Sequence, residues 1–316
     1  MSSRFQPLHA GITRIDVEYT RPGFAAAWLL RHGDRAVFIE TGPLPSVPIL
    51  LEALDRQGLA REAVEGVIVT HVHLDHAGAA GELLRHLPGA RLYLHAQGVK
   101  HLVDPSRLVE GARVVYGPEQ FLATLGGATP VDPARVHTPG DGETLDLGGR
   151  TLTFIDTPGH SLNHFCILDS LSNGLFTGDA FGLSYREFDG GSRPLIIPAT
   201  TPTQFDVTQM RATVARLARL KPDWLYLTHF GPLPFDPLLA TDLDAQLAGY
   251  QRLADGYPEK PDVAGLTDAL AGLTRDHWQA IGVPRPFDPR ELAMDLDLNA
   301  QGLAIWRERE LRRLAG

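Results

Sequence analysis

Over the first 41 residues short apolar-rich runs are broken by Gly23 and by the Gly33-Asp34 turn. That pattern predicts antiparallel strands at 12–19, 25–31 and 36–41. The period then changes: Val47, Leu50, Leu51 and Leu54 fall on one face of a helix at about 46–57. Gly66-Val67-Ile68-Val69 reads as a buried strand. After it come a helix at 77–87, whose small opening residues allow a close backbone approach to the preceding loop, and a strand at 90–95. Residues 97–142 carry several Pro and Gly with short helices near 97–103 and 119–125, either a pocket wall or a surface excursion. Strands return at 143–147, 151–156, 165–169 and 174–177. Val207, Met210, Val214, Leu217 and Leu220 then mark an amphipathic helix over 203–220, opened by a capping-box-like Thr203 and Asp206, and 224–227 is a last core strand.

Beyond Pro232, Pro234 and Pro237 the pattern turns helical, with helices at roughly 238–255, 263–281 and 289–314. The expected division is therefore 1–232, carrying the strands, and 233–316, a helical extension. Arg307-Glu308-Arg309-Glu310 is the wet face of the final helix. There is no internal repeat.

Composition narrows the function classes. A formal net charge of -9 speaks against nucleic acid as a partner, because phosphate neutralisation needs a basic face. The single cysteine, Cys166, excludes an intramolecular disulfide and lies in an apolar run, where it reads as a small buried hydrophobe. No apolar segment with a cleavage site opens the chain, and the run at 24–30 is too short for a bilayer. These features lead to the expectation of a cytoplasmic protein with a small-molecule substrate and no membrane partner; a homodimer is compatible.

Chemistry concentrates in Thr70-His71-Val72-His73-Leu74-Asp75-His76, where three imidazoles and a carboxylate follow directly on a strand. Four further motifs sit at strand ends: Glu40-Thr41-Gly42, Thr157-Pro158-Gly159-His160, Thr177-Gly178-Asp179 and Thr228-His229. Each offers a metal ligand or an atom that could brace one, and strand-end loops are where catalytic groups are usually displayed. The recurrence carries more weight than any single motif.

This set resembles the metallo-β-lactamase superfamily, with a glyoxalase II-like order of motifs over approximately residues 10–232. The resemblance implies an α/β fold, a four-layer αββα sandwich, here with an appended C-terminal helical region. It also implies a dinuclear site in which His71, His73 and His160 hold one metal, Asp75, His76 and His229 hold the second, and Asp179 bridges them. Asp75 would in addition orient a metal-bridging hydroxide that attacks an ester-like bond of a thioester, lactone or phosphoester. Glu40 would brace the metal loop, and the threonines at 70, 157, 177 and 228 could add hydrogen bonds. Separately, His164, four residues after His160, is a candidate to stand behind the ligands or to substitute for one. Two divalent ions are implied; imidazole and carboxylate suit Zn²⁺, the leading expectation, and are compatible with Fe or Mn. No substrate-binding residue is legible.

Two positions depart from the family pattern. Asp179 stands where the antibiotic-hydrolysing class with a Cys ligand carries cysteine, which argues against that class. Glu40 stands where Asp is usual. Rival readings are a mononuclear iron sulfur dioxygenase, with iron at His71, His160 and Asp179, and a non-catalytic protein with a structural metal.

Overall fold

The computed structural model describes residues 4–200, 202–259 and 261–315. Packing divides the chain into two compact units. The first runs to Asp156 and takes in Asn163–Gly178 and Asp223–Leu233; the second comprises Thr157–Leu162, Asp179–Pro222 and the chain from Pro234 onward.

The first unit contains two sheets. One orders β1 (Phe5–Pro7), β2 (Ile12–Asp16), β3 (Ala26–His32), β4 (Arg35–Ile39), β5 (Val64–Ile68), β6 (Arg91–Tyr93) and β7 (Val136–His137) in sequence. It is antiparallel as far as β4 and parallel beyond. The parallel part needs crossovers, and these carry α1 (Val47–Arg56), α2 (Leu74–Ala77), α3 (Ala80–His86), α4 (Val99–Val103), α5 (Ser106–Tyr116) and α6 (Pro118–Thr124). The other sheet places β8 (Thr144–Asp146), β9 (Thr151–Asp156), β10 (Phe165–Asp169), β11 (Gly174–Gly178) and β12 (Trp224–Leu227) side by side, with the short β13 (Leu233–Pro234) at its edge.

The inner faces meet through aromatic side chains. Trp28 of β3 lies 5.6 Å from Phe176 and 5.1 Å from Tyr226, and Tyr93 of β6 stacks 5.8 Å from Phe154. Residues Ala26 to Leu30 are buried without alternation, as expected for a strand covered on both faces. At the far end Arg150 and Asp169, both fully buried, form a two-bonded ion pair, and Arg150 Nη1 also donates to the carbonyls of Ala10 and Arg31.

The second unit is built of α7 (Val207–Arg219), α8 (Pro237–Asp255), α9 (Val263–Ala280) and α10 (Ala293–Ala315), with an irregular segment between Asp179 and α7. Leu239, Leu243, Leu247, Leu266, Leu270, Leu296 and Leu303 form its buried interior. The expected fold class, two sheets with helices and a helical C-terminal region, is the one found.

Several boundaries differ from the sequence reading, each for a local reason. The strand expected over 12–19 stops at Asp16, because its carboxylate accepts the Glu18 and Gly23 N–H groups and turns the chain through left-handed Glu18 and Thr20. The helix expected over 77–87 is α3, which begins only at Ala80, and the separate α2 before it holds Asp75 and His76 in a helical turn rather than a loop. α7 begins at Val207, with Asp206 alone as its cap through the Gln209 N–H; Thr203 lies before the helix with a φ of 88°. α10 begins at Ala293, after a 3₁₀ turn at Pro289–Leu292. α5 has no counterpart in the sequence reading; none of its residues is fully buried, and Val114 is exposed. β1 and β7 are too short to leave a pattern.

Candidate metal centre

In the first unit, β5 ends at Ile68 and the chain passes through Val69 and Thr70 into His71, Val72 and His73, then into α2. His71 Nε2 and His73 Nδ1 are 2.8 Å apart, two nitrogens aimed at one place. Asp75, His76 and His229 form a second convergence, with one ligand atom of each within 4.8 Å of the others. Asp75 Oδ2 lies 3.3 Å from His229 Nε2 and 3.6 Å from His76 Nε2.

The far ring nitrogens are each held by a protein oxygen. His76 Nδ1 lies 3.0 Å from Glu40 Oε1, His229 Nδ1 2.9 Å from the Phe24 carbonyl and His71 Nδ1 3.1 Å from Thr70 Oγ1. Such contacts fix the ring's orientation and its tautomer, leaving Nε2 as the coordinating atom. His73 differs, presenting Nδ1.

Glu40 is the hub. Almost fully buried and in a left-handed backbone conformation, its carboxylate accepts the Thr70 N–H, the Thr70 hydroxyl, the His76 ring and the Thr228 hydroxyl. One side chain thus ties the His71 turn, α2 and the end of β12. The next residue adds a backbone grip: Thr41 donates through N–H and hydroxyl to the His76 carbonyl, 2.8 Å each. Among the four motif threonines, Thr70 and Thr228 reach Glu40, while Thr177 donates to the Gly178 carbonyl.

His164 is buried and stacks on His71 at 5.0 Å between centroids. Its neighbour Asn163 accepts the Val72 N–H. Gly178 closes this side with a φ of 48°; a Cβ there would come within 2.4 Å of Thr70 Oγ1 and 2.6 Å of His164 Nε2. The loop bearing Phe24 is anchored in turn by Asp16, whose carboxyl is pushed above its ordinary value chiefly by burial.

The second unit presents His160 and Asp179. Gly159, with a φ of 136°, lets residues 157–162 lie directly on the start of α7, where a Cβ would meet Met210 Cα at 2.3 Å. The Asp206 N–H and Thr213 hydroxyl donate to the carbonyls of Gly159 and Pro158, fastening the loop. His160 is 1% exposed; its Nδ1 is 3.0 Å from the Ala199 carbonyl and its Nε2 3.4 Å from Asp179 Oδ2.

Five of the seven expected ligands are buried, His73 and Asp75 are partly so, and each unit converges its own share. His71 meets His73, and Asp75 meets His76 and His229, in the first unit; His160 meets Asp179 in the second. Five imidazoles, four of them oriented by a protein oxygen, and two carboxylates suit divalent cations. The sequence reading missed Phe24 and Ala199, whose contribution is a backbone carbonyl that no residue type signals.

Sheets carrying histidines and aspartates at their strand ends define a metal-binding α/β protein. Residues 20–229 match the family model of the metallo-beta-lactamase superfamily, and the chain belongs to that family. Among curated relatives, a metallo-beta-lactamase fold-containing protein of Sulfurisphaera tokodaii is 31% identical over 54% of this chain and 62% of its own length. A hydroxyacylglutathione hydrolase of Aeromonas salmonicida is 30% identical over 64% of this chain and 59% of its own. The chain thus spans about six tenths of the length of these relatives. Among solved structures, an archaeal metallo-beta-lactamase superfamily protein from Sulfolobus tokodaii aligns over 94% of this chain and 99% of its own, with a TM-score of 0.65 and 24% identity. A metallo-beta-lactamase family protein from Thermus thermophilus aligns over 96% of this chain and 94% of its own, with a TM-score of 0.64 and 20% identity. Both share the fold. No helix among the described residues is long and apolar enough to cross a membrane.

Proposed function

We propose that the protein is a metal-dependent hydrolase of an ester-like bond, with residues 1–232 as its catalytic part and 233–316 as a helical extension. The observation that carries this reading is the oriented convergence of Asp75, His76 and His229, their Nδ1 contacts made by Glu40 and Phe24. His71, His73 and His160 would hold one ion, Asp75, His76 and His229 the other, and Asp179 would bridge them. Two zinc ions are the preferred occupants. Bound, such a pair supplies a nucleophile from water at neutral pH and stabilises charge on both attacking and leaving oxygens.

The chain's own residues do the rest. Glu40 keeps His76 in the Nδ1–H tautomer, and the Phe24 carbonyl does the same for His229. Asp75 Oδ2, beside both Nε2 atoms, would complete that ligand set, and the carboxylate would in addition orient the attacking water. Burial of the His71, His76, His160 and His229 rings strengthens these interactions.

Thioesters, lactones and phosphoesters remain chemically equivalent for such a centre. Relatives named as hydroxyacylglutathione hydrolases favour the acyl, thioester member of that set. Elemental analysis of purified protein, coupled to hydrolysis of one thioester, one lactone and one phosphodiester, tests the reading. The expected result is two ions per chain and turnover of the thioester that is lost in Asp75→Asn. One iron per chain with oxygen uptake on a persulfide would replace this reading with a dioxygenase, and absence of turnover with metal bound would leave a binding protein.

A further inference from the structure

We infer that Asn299, on the C-terminal helix α10, is a positioning residue for the metal-ligand candidate His160. The link is the Ala199 carbonyl, which takes the His160 Nδ1 contact at 3.0 Å. Ala199 belongs to no helix or strand, so no ladder fixes the direction of that carbonyl. Asn299 does so instead. Its Oδ1 accepts the Thr200 N–H at 2.7 Å, and its Nδ2 donates to the Pro198 carbonyl at 2.9 Å. The Thr200 hydroxyl donates to the Asn299 carbonyl at 2.9 Å and to Oδ1 at 3.0 Å.

The geometry matters because a peptide unit is planar. The Ala199 carbonyl and the Thr200 N–H lie in one such plane and point in opposite directions within it. A side chain that grips the N–H therefore aims the carbonyl. Asn299 is 3% exposed and lies between the buried Leu296, Ala300 and Leu303, so helix packing holds the grip in place. Gln246 of α8 steadies the same segment by donating to the Ile196 carbonyl at 2.7 Å. The helical extension thus acts on the chemistry through the tautomer and direction of one imidazole. Its consequence for metal affinity rests on the proposed function; the ring's tautomer does not.

The test uses the full chain with Asn299→Ala, Thr200→Val, and Leu296→Ala as a packing control in the same helix. Nitrogen–proton NMR of the His160 ring in metal-free protein reads the tautomer. Competition with a chelator for Zn²⁺ reads the affinity. The wild type should show a protected Nδ1–H. Asn299→Ala should lose it and bind Zn²⁺ about 10–100-fold more weakly, the usual range for groups behind a ligand. Leu296→Ala should lower thermal stability yet keep both signals. Thr200→Val, which retains the N–H grip, should shift both in the same direction by less, and it decides the matter if Asn299→Ala does not fold. Unchanged tautomer and affinity in the foldable variants, or equal loss in Leu296→Ala, would overturn the inference. If the tautomer depends on Asn299 while the wild type binds no zinc, the positioning stands and the metal reading fails.

Discussion

Asp75 and Glu40 carry the sharpest residue-scale consequences. Asp75 is the ligand candidate that would also orient water under the proposed function, 16% exposed beside two buried imidazoles. Asp75→Asn keeps the shape and removes the charge, so hydrolysis should fall by at least about 100-fold while the thermal midpoint of metal-free protein stays near wild type. Parallel rate and melting measurements check this; undiminished turnover would remove Asp75 from the mechanism. Glu40 accepts from four donors, and an amide cannot. Glu40→Gln places an NH₂ against a donor, with an expected cost of about 1–3 kcal/mol in stability and about 10–100-fold in metal affinity. Denaturant unfolding and chelator competition would measure the two. At this scale the sequence was highly legible, because imidazoles and carboxylates at strand ends announce themselves. The carbonyls of Phe24 and Ala199 could not be read, since every residue has one and only the fold decides which is aimed at a ring.

Among the elements, the strands were legible because β3 and β10 carry continuous apolar runs and β5 ends in the buried Gly66, Val67 and Ile68. What escaped was set by contacts between elements. The break between α2 and α3 is fixed by hydrogen bonds from Thr41 and Ala79 to partners across the turn, and α5 lacks a buried face. Gly178 shows how tightly β11 and the His71 turn meet. Gly178→Ala combines a left-handed backbone, about 1–2 kcal/mol for an L residue, with contacts far below van der Waals distance to Thr70 and His164. The variant should melt several degrees lower and lose metal affinity together. Loss of stability with full metal affinity would show that the turn is independent of β11.

For the whole molecule, composition marks a change of character at Pro232, whereas packing groups the later helices with Thr157–Leu162 and Asp179–Pro222. Hydrophobic periodicity reports local structure and is silent about which distant segments pack together, so that grouping was not legible. The buried Arg150–Asp169 pair joins β9 and β10 and, through the Ala10 and Arg31 carbonyls, reaches the other sheet. Asp169→Ala strands a buried guanidinium, and urea unfolding should record a loss of about 3–5 kcal/mol. A neutral result would mean that water or rearrangement repairs the site. The central claim is that seven side chains hold two ions. Its most direct test is the metal content, per chain, of protein saturated with Zn²⁺ and passed through a desalting column, compared with His229→Ala. The account predicts two zinc ions in the wild type and one in the variant; a wild type with one ion or none, or a variant that still holds two, would contradict it.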